Sequence, residues 1–405
     1  MPVSASLTVT LDNIANRSYD ISIGTALMGT VASDLRQGLI PGAYRYVIVT
    51  DTTVKKLYGT ALLALLRKNK LKADLLSFPA GERSKTRETK ARLEDRLLKL
   101  GCGRDSCIIA LGGGVVTDLA GFVAATYMRG IPYISLPTTL LAAADASIGG
   151  KTGVDTPLGK NLIGAFYQPK RVYIDVATWQ TLPLEHIQNG LAETIKHAAI
   201  ADKNFFRYLE QHLDKIIKPK KFVQDHSVIP ARIYKQLPVE LQKAIGYFTY
   251  KIILDQKTCL HIARKNCEIK AAIVEQDEKE QGLRQLLNFG HTIGHALEAQ
   301  SKYHLSHGRA VSIGMALEAE LGVILNHTTP RDMNRLIRLL DRAGLPIRSY
   351  DINAQKVSKL LSHDKKSKQG KAQFVFLERI GKAKQFAAGW STAVDAKDIQ
   401  TLLQG

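Results

Sequence analysis

Residues 107–121 read CIIALGGGVVTDLAG, and this stretch decides the fold class. Its first five residues are apolar, which is typical of a buried strand. The three glycines that follow predict a tight turn, and a helix is expected to begin near Thr117 and Asp118. Backbone N–H groups of such a turn can approach a pyrophosphate. The spacing is not GxGxxG, so a turn whose glycines need positive φ is an equally good interpretation.

The sequence around this stretch alternates strand-like and helix-like segments. Strands are predicted at 46–50, 73–78 and 132–136, and helices at 60–69 and 86–100. Strands separated by helix-length segments are typical of βαβ units and a mostly parallel sheet. Because ligands of such sheets lie at the carboxyl ends of the strands, functional residues are expected there.

Strand signals become rare after residue 178. Helices are predicted at 190–200, 205–217, 239–264, 291–298, 309–325 and 331–343, with one late strand at 372–377. The predicted fold class is α/β, with an N-terminal Rossmann-like parallel-sheet domain at residues 1–178. A mainly α-helical domain is predicted at residues 179–405, with a cleft between the two.

The composition excludes several classes of protein. Of the 405 residues, 45% are hydrophobic and 23% are charged, which argues against intrinsic disorder and collagen-like architecture. No apolar run approaches the ~20 residues that cross a bilayer. The four cysteines form no CxxC pair and no disulfide framework, and the first residues lack the pattern of a secretory signal. A cytoplasmic location is therefore expected.

The net charge of +19 needs an explanation. It indicates nucleic acid, an acidic membrane surface or a small anionic substrate. Residues 201–270 carry much of the excess, with 14 Lys and Arg against 7 Asp and Glu. No run of five basic residues, zinc-finger spacing or RNA-binding aromatic signature accompanies it. A solvated basic face is favoured, so neither nucleic acid nor a membrane is expected as a partner.

Residues 149–152, GGKT, resemble the end of a phosphate-binding P-loop. The pattern requires a glycine where Asp145 stands, so a P-loop nucleotidase is excluded. Lys151, Lys160 and Asn161 follow Asp145 closely, in sequence typical of a loop. Two lysines and a carboxylate suit an anionic ligand that also needs proton transfer. A solvated surface loop is the alternative.

Residues 288–295, NFGHTIGH, place His291 and His295 on one face of a predicted helix. Their spacing of four is that of paired metal ligands. Glu193, on another predicted helix, could add a carboxylate. Two imidazoles and one carboxylate leave coordination positions open, as in a catalytic zinc site. Spacing alone therefore predicts ligation by these three residues, and His307 follows twelve residues after His295.

Several short motifs occur together in one family. They are LGGG at 111–114, YMRG at 127–130, LPTTL at 136–140, GGKTG at 149–153, PLGKN at 157–161, AETIK at 192–196, CEIKA at 267–271, GLR at 282–284, NFGHTIGHALE at 288–298 and DKK at 364–366. Over about residues 17–390 the chain resembles the 3-dehydroquinate synthases, which are members of the sugar-phosphate cyclase superfamily.

The resemblance implies an NAD- and metal-dependent lyase of the shikimate pathway, which serves aromatic amino-acid biosynthesis. The implied reaction converts DAHP, a seven-carbon sugar-acid phosphate, to 3-dehydroquinate and phosphate. It proceeds by transient oxidation, phosphate elimination, reduction and aldol cyclisation. The implied metal is divalent, Zn²⁺ with Co²⁺ as the alternative, and the implied assembly is a homodimer. The first domain would bind NAD, and the second the metal and the substrate.

The resemblance also assigns residues. The implied metal ligands are Glu193, His291 and His307, which moves His295 to the substrate phosphate. The other implied substrate positions are Arg129, Asn161, Lys196, Lys270, Arg284, Asn288 and Lys366 (in preference to Lys365), with Asp145, Lys151 and Lys160 near both substrate and nicotinamide. The implied NAD positions are Asp51, Glu82, Lys85, Gly113, Gly114, Val115, Asp118, Thr138, Thr139, Thr181 and Leu182, with Lys151 and Lys160. For Asp51, Glu82 and Lys85, a helix cap or a surface charge is the alternative.

The chain also departs from the family pattern. Thr117 stands in place of Gly, Ala146 of Ser, Asp155-Thr156 of Asn-His, His197 of Tyr and Arg309 of Glu. Thr117 is expected to bring a side chain toward the pyrophosphate, and Arg309 a positive charge toward the metal. Residues 216–247 form a segment that is longer than the family pattern requires. A partner surface and a neutral insertion are equally good interpretations of it. A cyclase of another sugar phosphate and a non-catalytic binding protein are the alternative functions.

Overall fold

The computed structural model describes residues 18–157, 159–217, 254–302, 304–349, 353–362 and 372–404. Lys366, most of the 216–247 segment and the first part of the helix predicted at 239–264 lie outside these residues. Within the described ranges, no helix combines the length and the apolar character needed to span a membrane.

Six of the first eight strands form one parallel sheet. The eight are β1 (Asp20–Gly24), β2 (Arg45–Asp51), β3 (Ala73–Phe78), β4 (Ser106–Gly112), β5 (Tyr133–Pro137), β6 (Lys151–Thr156), β7 (Gly159–Phe166) and β8 (Arg171–Asp175). The sheet order is β1-β8-β5-β4-β2-β3, and every pairing in it is parallel. Ile108 and Ala110 of β4 pack into one core cluster, and Ile109 and Leu111 into another. Both faces of β4 are therefore covered, which explains its continuous apolar sequence.

The sequence does not predict β1, β8 or the hairpin of β6 and β7. β1 is an edge strand whose residues are at most half-buried, and β8 begins and ends with charged residues. Neither strand therefore presents a long apolar run. β6 and β7 pair antiparallel outside the main sheet, and their glycines and lysines are typical of loops.

The helices of the first half lie between the strands. They are α1 (Met28–Arg36), α2 (Thr52–Val54), α3 (Thr60–Lys68), α4 (Arg87–Lys99) and α5 (Gly114–Thr126). The predicted start of α5 near Thr117 is wrong, because the helix begins at Gly114. Thr117 already donates its N–H to the carbonyl of Gly113 at 3.0 Å. Gly114 thus belongs to the first turn of the helix, Gly113 is its N-cap, and Gly112 ends β4.

The second half is mainly helical, as predicted. Its helices are α6 (Leu184–Ala201), α7 (Lys203–His212), α8 (Asp214–Ile217), α9 (Gln256–Gln276), α10 (His291–Gln300), α11 (His307–Ile324), α12 (Pro330–Arg342), α13 (Ala354–Ser362) and α14 (Ala396–Gln404). The prediction of a single late strand is wrong. Four short strands, β9 (Gln373–Phe374), β10 (Leu377–Arg379), β11 (Lys382–Ala383) and β12 (Thr392–Ala393), form two antiparallel pairs. Runs this short carry no alternation that a sequence pattern could reveal.

One hydrophobic cluster joins the sheet to the helices that follow it. It contains Ile174 of β8, Trp179 after that strand, and Ile195 of α6, all buried. The boundary predicted at residue 178 falls inside the 3-10 helix Val176–Thr181. The division into two domains at that residue remains a prediction.

Candidate active site

The glycine turn between β4 and α5 borders a cavity of about 590 Å³. Gly113 has extended backbone (φ −76°, ψ −172°), and φ is not positive at Gly112 or Gly114 either, so the positive-φ interpretation is wrong. Space explains the glycines instead. A Cβ on Gly112 would lie 2.5 Å from Val116 Cγ2, and one on Gly113 would lie 3.2 Å from Thr139 Cγ2. The first N–H groups of a helix have no partner within it, so this end of α5 suits a phosphate group.

The residues predicted to bind NAD gather around this cavity, except Lys151. The residues from this set that line the cavity are Asp51, Glu82, Lys85, Gly113, Gly114, Val115, Asp118, Thr138, Thr139, Lys160, Thr181 and Leu182. Asp51 also caps α2, because its Oδ1 accepts the N–H groups of Thr53 and Val54 at 2.8 and 2.9 Å. The helix-cap alternative for Asp51 therefore holds together with its position at the cavity.

Lys85 is a buried cation, so the surface-charge alternative is wrong for it. Its Nζ donates to Asp118 Oδ2 at 2.6 Å and to Asn161 Oδ1 at 2.5 Å. Burial disfavours the charge, but Asp118 and Glu82 outweigh it and raise the pKa of Lys85. A buried lysine that stays charged gives this side of the cavity a fixed positive group.

A second cavity, of about 440 Å³, gathers most of the predicted substrate residues. It is lined, among others, by Asp145, Lys151, Asn161, Lys196, Lys270, Arg284, Asn288, His291, His295 and His307. Arg129 lines neither cavity and is exposed, with φ +66°. The structure therefore does not bring Arg129 to the other predicted substrate residues.

The two cavities adjoin. Asp118, Asp145, Ala146, Asn161 and His307 line both of them. A ligand that enters past the glycine turn can therefore meet a second ligand held beside His307.

The predicted loop around Lys151 is regular structure. Asp145 lies in the π-helical turn Ala142–Ala146. Lys151 begins β6, and Lys160 and Asn161 lie on β7. The loop interpretation is therefore wrong, although Lys151 and Asn161 are exposed, as the alternative of a solvated surface expects. Lys151, Lys160 and Asn161 are held on a hairpin beside the cavities.

Glu193, His291 and His307 form a compact group of potential metal ligands, with one atom of each within 4.8 Å of the others. The Nε2 atoms of His291 and His307 lie 3.3 and 3.4 Å from Glu193 Oε1. That oxygen is buried without a well-directed hydrogen bond, and a buried carboxylate oxygen needs a compensating charge or donor. The donor set, one carboxylate and two imidazoles, is that of a catalytic zinc site. The residues therefore fit a divalent metal.

The other ring nitrogens of the two histidines are also engaged. Nδ1 of His291 lies 3.1 Å from the carbonyl of Phe289, and Nδ1 of His307 lies 3.2 Å from Glu298 Oε2. Such contacts place the proton on Nδ1 and leave Nε2 for a metal. His295 is not part of this group, although its ring meets His291 edge-on at 5.3 Å. It forms a second group of potential ligands with Glu298 and His307. The geometry thus groups His291 with His307, not with His295 as the spacing suggests.

The electrostatics of the group favour a cation. Burial and the nearby Lys196 lower the pKa of His291 to about 4, which favours the neutral imidazole that a metal needs. At His307 burial also opposes the charge, but hydrogen bonds with Glu193 and Glu298 raise its pKa to about 10. The two carboxylates therefore stabilise a positive charge here, whether a proton or a divalent cation carries it.

Cationic side chains border the second cavity. Lys196 contacts Glu193, and both are buried. Lys270 Nζ lies 2.5 Å from Asp145 Oδ1, and despite burial Lys270 holds the pKa of Asp145 well below its usual range. Arg284 is also buried. Buried cations form strong charge-assisted bonds, so the cavity suits a ligand with several negative charges.

Comparison with known proteins identifies the family. A family model described as 3-dehydroquinate synthase N-terminal matches residues 75–189, and one described as 3-dehydroquinate synthase C-terminal matches residues 240–367. The 3-dehydroquinate synthase of Pelotomaculum thermopropionicum is 41% identical over 373 residues, which are 92% of this chain and 91% of that protein. The chain belongs to the 3-dehydroquinate synthase family. The synthase of Nitrosomonas europaea is also 41% identical, over 380 residues and 93% of each chain.

Solved structures support the same fold. The 2-epi-5-epi-valiolone synthase of Streptomyces hygroscopicus subsp. jinggangensis, with NAD⁺ and Zn²⁺ bound, is 26% identical with a TM-score of 0.79 over 98% of both chains. A 2-deoxy-scyllo-inosose synthase, complexed with carbaglucose-6-phosphate, NAD⁺ and Co²⁺, is 23% identical with a TM-score of 0.75 over 95% of this chain and 96% of that one. At that lower identity the likeness shows the fold alone. The predicted α/β fold class and the resemblance found in the motifs are confirmed.

Two acidic residues of this 3-dehydroquinate synthase family member were not predicted as site residues. Glu298 contacts His307 with Oε2 and, at 2.9 Å, Lys160 with Oε1. It lies in the same motif as His291, so the motif could have revealed it. Glu280 contacts Lys151 and accepts a hydrogen bond from Asn288 Nδ2 at 2.9 Å. Glu280 carries no signal in sequence, because Lys151 is 129 residues away.

One departure from the family pattern does not have the effect expected of it, and a second makes no contact with the metal group. Thr117 is buried, donates its hydroxyl to the carbonyl of Gly114 at 3.1 Å, and does not line the first cavity. The expected interference with a pyrophosphate is therefore wrong. Arg309 makes no hydrogen bond or ion pair with any residue in the described part of the chain, so no contact brings its charge to the metal group.

Two other departures lie inside the site. Ala146 lines both cavities without contributing a polar atom. His197 is fully buried, and its Nδ1 lies 2.9 Å from Asn266 Oδ1. Burial and the neighbouring Lys196 lower the pKa of His197 to about 4. His197 is therefore a neutral ring, buried behind the cationic side chains that border the second cavity.

Proposed function

We propose that this chain is a 3-dehydroquinate synthase, a lyase that converts DAHP to 3-dehydroquinate and phosphate. The observation that supports this proposal most strongly is that the two cavities adjoin. The cavity at the glycine turn is suited to NAD, and Asp118, Asp145, Ala146, Asn161 and His307 border it and the second cavity together. A hydride can pass between cofactor and substrate only where two such cavities meet.

The proposed cofactors are NAD and one divalent metal, with Zn²⁺ as the resident ion and Co²⁺ as a substitute. The likeness to a synthase with NAD⁺ and Zn²⁺ bound supports this choice. Glu193, His291 and His307 would hold the metal, and the residues around Gly113 would hold NAD. When bound, NAD would supply reversible hydride transfer, and the metal would supply Lewis-acid polarisation of the hydroxyl oxygen on the carbon being oxidised.

The cationic side chains that border the second cavity bind the substrate in this proposal. Lys196, Lys270, Arg284 and His295 border the second cavity and would hold the phosphate and carboxylate of DAHP. Phosphate gains negative charge as its bond to carbon breaks, so cations placed beforehand stabilise the leaving group. Asn288 would hold a substrate hydroxyl, and Arg129 and Lys366 remain predicted substrate contacts.

Asp145 is placed to accept a hydrogen bond from the substrate. Lys270 keeps its carboxylate ionised in spite of burial. A carboxylate fixed by a buried lysine can accept a substrate hydroxyl without rearranging. We assign this role to Asp145, beside the nicotinamide end of the first cavity.

The proposal includes a homodimer, a cytoplasmic location and the domain roles predicted above. Residues 1–178 would bind NAD, and residues 179–405 the metal and substrate. A cyclase of another sugar phosphate is less favoured, because the 3-dehydroquinate synthases are 41% identical and the 2-epi-5-epi-valiolone synthase is 26% identical. The grouped buried charges argue against a non-catalytic binding protein.

Phosphate release and dehydroquinate formation from DAHP test this function. The purified protein should form both products in equal amounts with NAD and Zn²⁺, and a chelator should stop both. Product formation that survives complete metal removal would contradict the metal's role. Bound NAD and metal without turnover of DAHP would contradict the substrate and favour another sugar phosphate.

A further inference from the structure

Asp155, which replaces the Asn of the family pattern, connects two segments of the site. Its Oδ1 accepts the N–H of Asn161 at 2.9 Å. Its own N–H donates to the carbonyl of Lys85 at 2.8 Å. The first bond crosses the β6–β7 turn, and the second joins β6 to the segment before α4. Asp155 therefore lies where the hairpin meets the first cavity.

The backbone of Asn161 is left-handed, with φ +54°. Few residues other than glycine adopt this conformation, and Asn is among those that tolerate it. The register of β6 and β7 shifts between Val154 and Thr156, so the regular ladder is interrupted opposite Asn161. The bond from the Asn161 N–H to a side chain satisfies a group that a regular strand would pair with its neighbour.

The left-handed backbone decides where the Asn161 amide points. Its Oδ1 accepts from Lys85 Nζ at 2.5 Å, and Lys85 in turn contacts Asp118 at 2.6 Å. Asn161 lines both cavities. Oδ1 is engaged by Lys85, whereas Nδ2 makes no hydrogen bond with the described residues, so this donor is left for a ligand at the junction.

We propose that Asp155 is a positioning residue: by accepting the Asn161 N–H, it holds Asn161 in the left-handed conformation and keeps its amide at the junction of the two cavities. The reaction that this positioning serves rests on the proposed function. The backbone geometry does not.

The positioning needs the acceptor oxygen and not the charge. Burial raises the pKa of Asp155 to about 6, and Glu82 adds to this effect while Lys85 opposes it. Near neutral pH the half-buried carboxylate is therefore a destabilising group. An asparagine offers the same acceptor atom without that penalty.

Three variants test the proposal. Asp155→Asn keeps the acceptor, and Asp155→Leu removes it with a side chain that branches at the same carbon but is larger. Thr156→Val is the matched control, because it removes the hydroxyl that bonds to the carbonyl of Gly159 at 3.2 Å in the same turn. Hydrogen exchange of the Asn161 backbone N–H reports its hydrogen bond to Asp155. The values of kcat and KM with DAHP report the position of the Asn161 side chain. Asp155→Ala replaces the leucine variant if the latter does not fold.

In Asp155→Leu the backbone N–H of Asn161 should exchange its hydrogen faster than in wild type. The value of kcat/KM should fall roughly 10- to 100-fold, since small misplacements of a contacting group cost about that much. Bound NAD and metal should remain. Asp155→Asn and Thr156→Val should resemble wild type in both measurements.

Three results would overturn the proposal. They are wild-type exchange in Asp155→Leu, an equal loss in Asp155→Asn, and an equal loss in Thr156→Val. If the wild type does not turn over DAHP, the proposed function fails by itself. The exchange rates of the variants then still decide whether Asp155 holds Asn161.

Discussion

The Nδ1 atom of His307 lies 3.2 Å from Oε2 of Glu298. The other oxygen of this carboxylate lies 2.9 Å from Lys160 Nζ. Glu298 therefore connects the group of potential metal ligands with the β6–β7 hairpin. A carboxylate that bonds to a ligating imidazole fixes the ring and raises its basicity.

Replacing Glu298 with Gln should weaken metal binding without removing a ligand. We expect a loss of roughly 10- to 100-fold in Zn²⁺ affinity, because the amide cannot supply the charge that supports His307. Competition with a chromophoric chelator measures the affinity. Glu320→Gln on α11, whose carboxylate meets Arg348 instead, is the matched control and should bind Zn²⁺ like wild type. Equal affinities in the two variants would show that Glu298 does not support the metal.

His291 and His295 lie one turn apart on α10 and should respond differently to replacement by Ala. His291→Ala removes an atom 3.3 Å from Glu193 Oε1, so bound metal and turnover should both be lost. His295→Ala should keep its metal and lose rate, because its predicted partner is the substrate phosphate. Metal per chain by atomic absorption, measured beside kcat, separates the two effects. Loss of metal from His295→Ala alone would restore the pairing inferred from spacing.

The sequence predicts the centre of the fold better than its edges. β4 is apolar throughout because both its faces are covered, and such a run is visible without neighbours. β1 lies at the edge of the sheet and is half-exposed, so its pattern is weak. The hairpin that carries Lys160 and Asn161 resembles a loop, because its glycines allow β6 and β7 to approach closely: a Cβ on Gly164 would collide with the carbonyl oxygen of Thr152. Its lysines line the cavities and not a core.

The site was predicted residue by residue through motifs, but its connections were not. Lys270 meets Asp145 across 125 residues, and Lys151 meets Glu280 across 129. Such contacts depend on how α9 and the hairpin pack, which local patterns do not determine. Spacing alone favoured His295 over His307 for the same reason, since His307 reaches the group from another helix, α11.

Replacing Asp155 with Asn should stabilise the protein more at pH 8 than at pH 5. The pKa of Asp155 is raised to about 6 in the folded state, above the usual value of about 3.9. The folded state therefore holds this proton more tightly than the unfolded chain does. The carboxyl favours folding at low pH and loses that contribution as the pH rises through 6.

Denaturant unfolding of both proteins at the two pH values measures this difference. The variant has no group that titrates at this position, so its advantage over wild type should grow from pH 5 to pH 8. Asp105→Asn, at an exposed position, is the control and should show no comparable growth. An advantage that is the same at both pH values would mean that Asp155 does not titrate in this range.

Replacing Gly113 with Ala should weaken NAD binding. The φ of −76° accepts an alanine, so the effect is one of space: the new Cβ would lie 3.2 Å from Thr139 Cγ2 at the edge of the first cavity. We expect the Kd for NAD to rise roughly tenfold or more, because the methyl group keeps a pyrophosphate from the first turn of α5. Titration calorimetry measures this Kd. Gly29→Ala on α1, where a Cβ meets nothing within 4 Å, should leave the Kd for NAD unchanged.

Adding Thr139→Ser to Gly113→Ala removes Cγ2 but keeps the hydroxyl that accepts the Ala142 N–H. The double variant should therefore regain the stability that the close contact with Cγ2 costs, without regaining NAD affinity. Recovery of affinity in the double variant would mean that the Thr139 contact, and not access to the turn, limits binding.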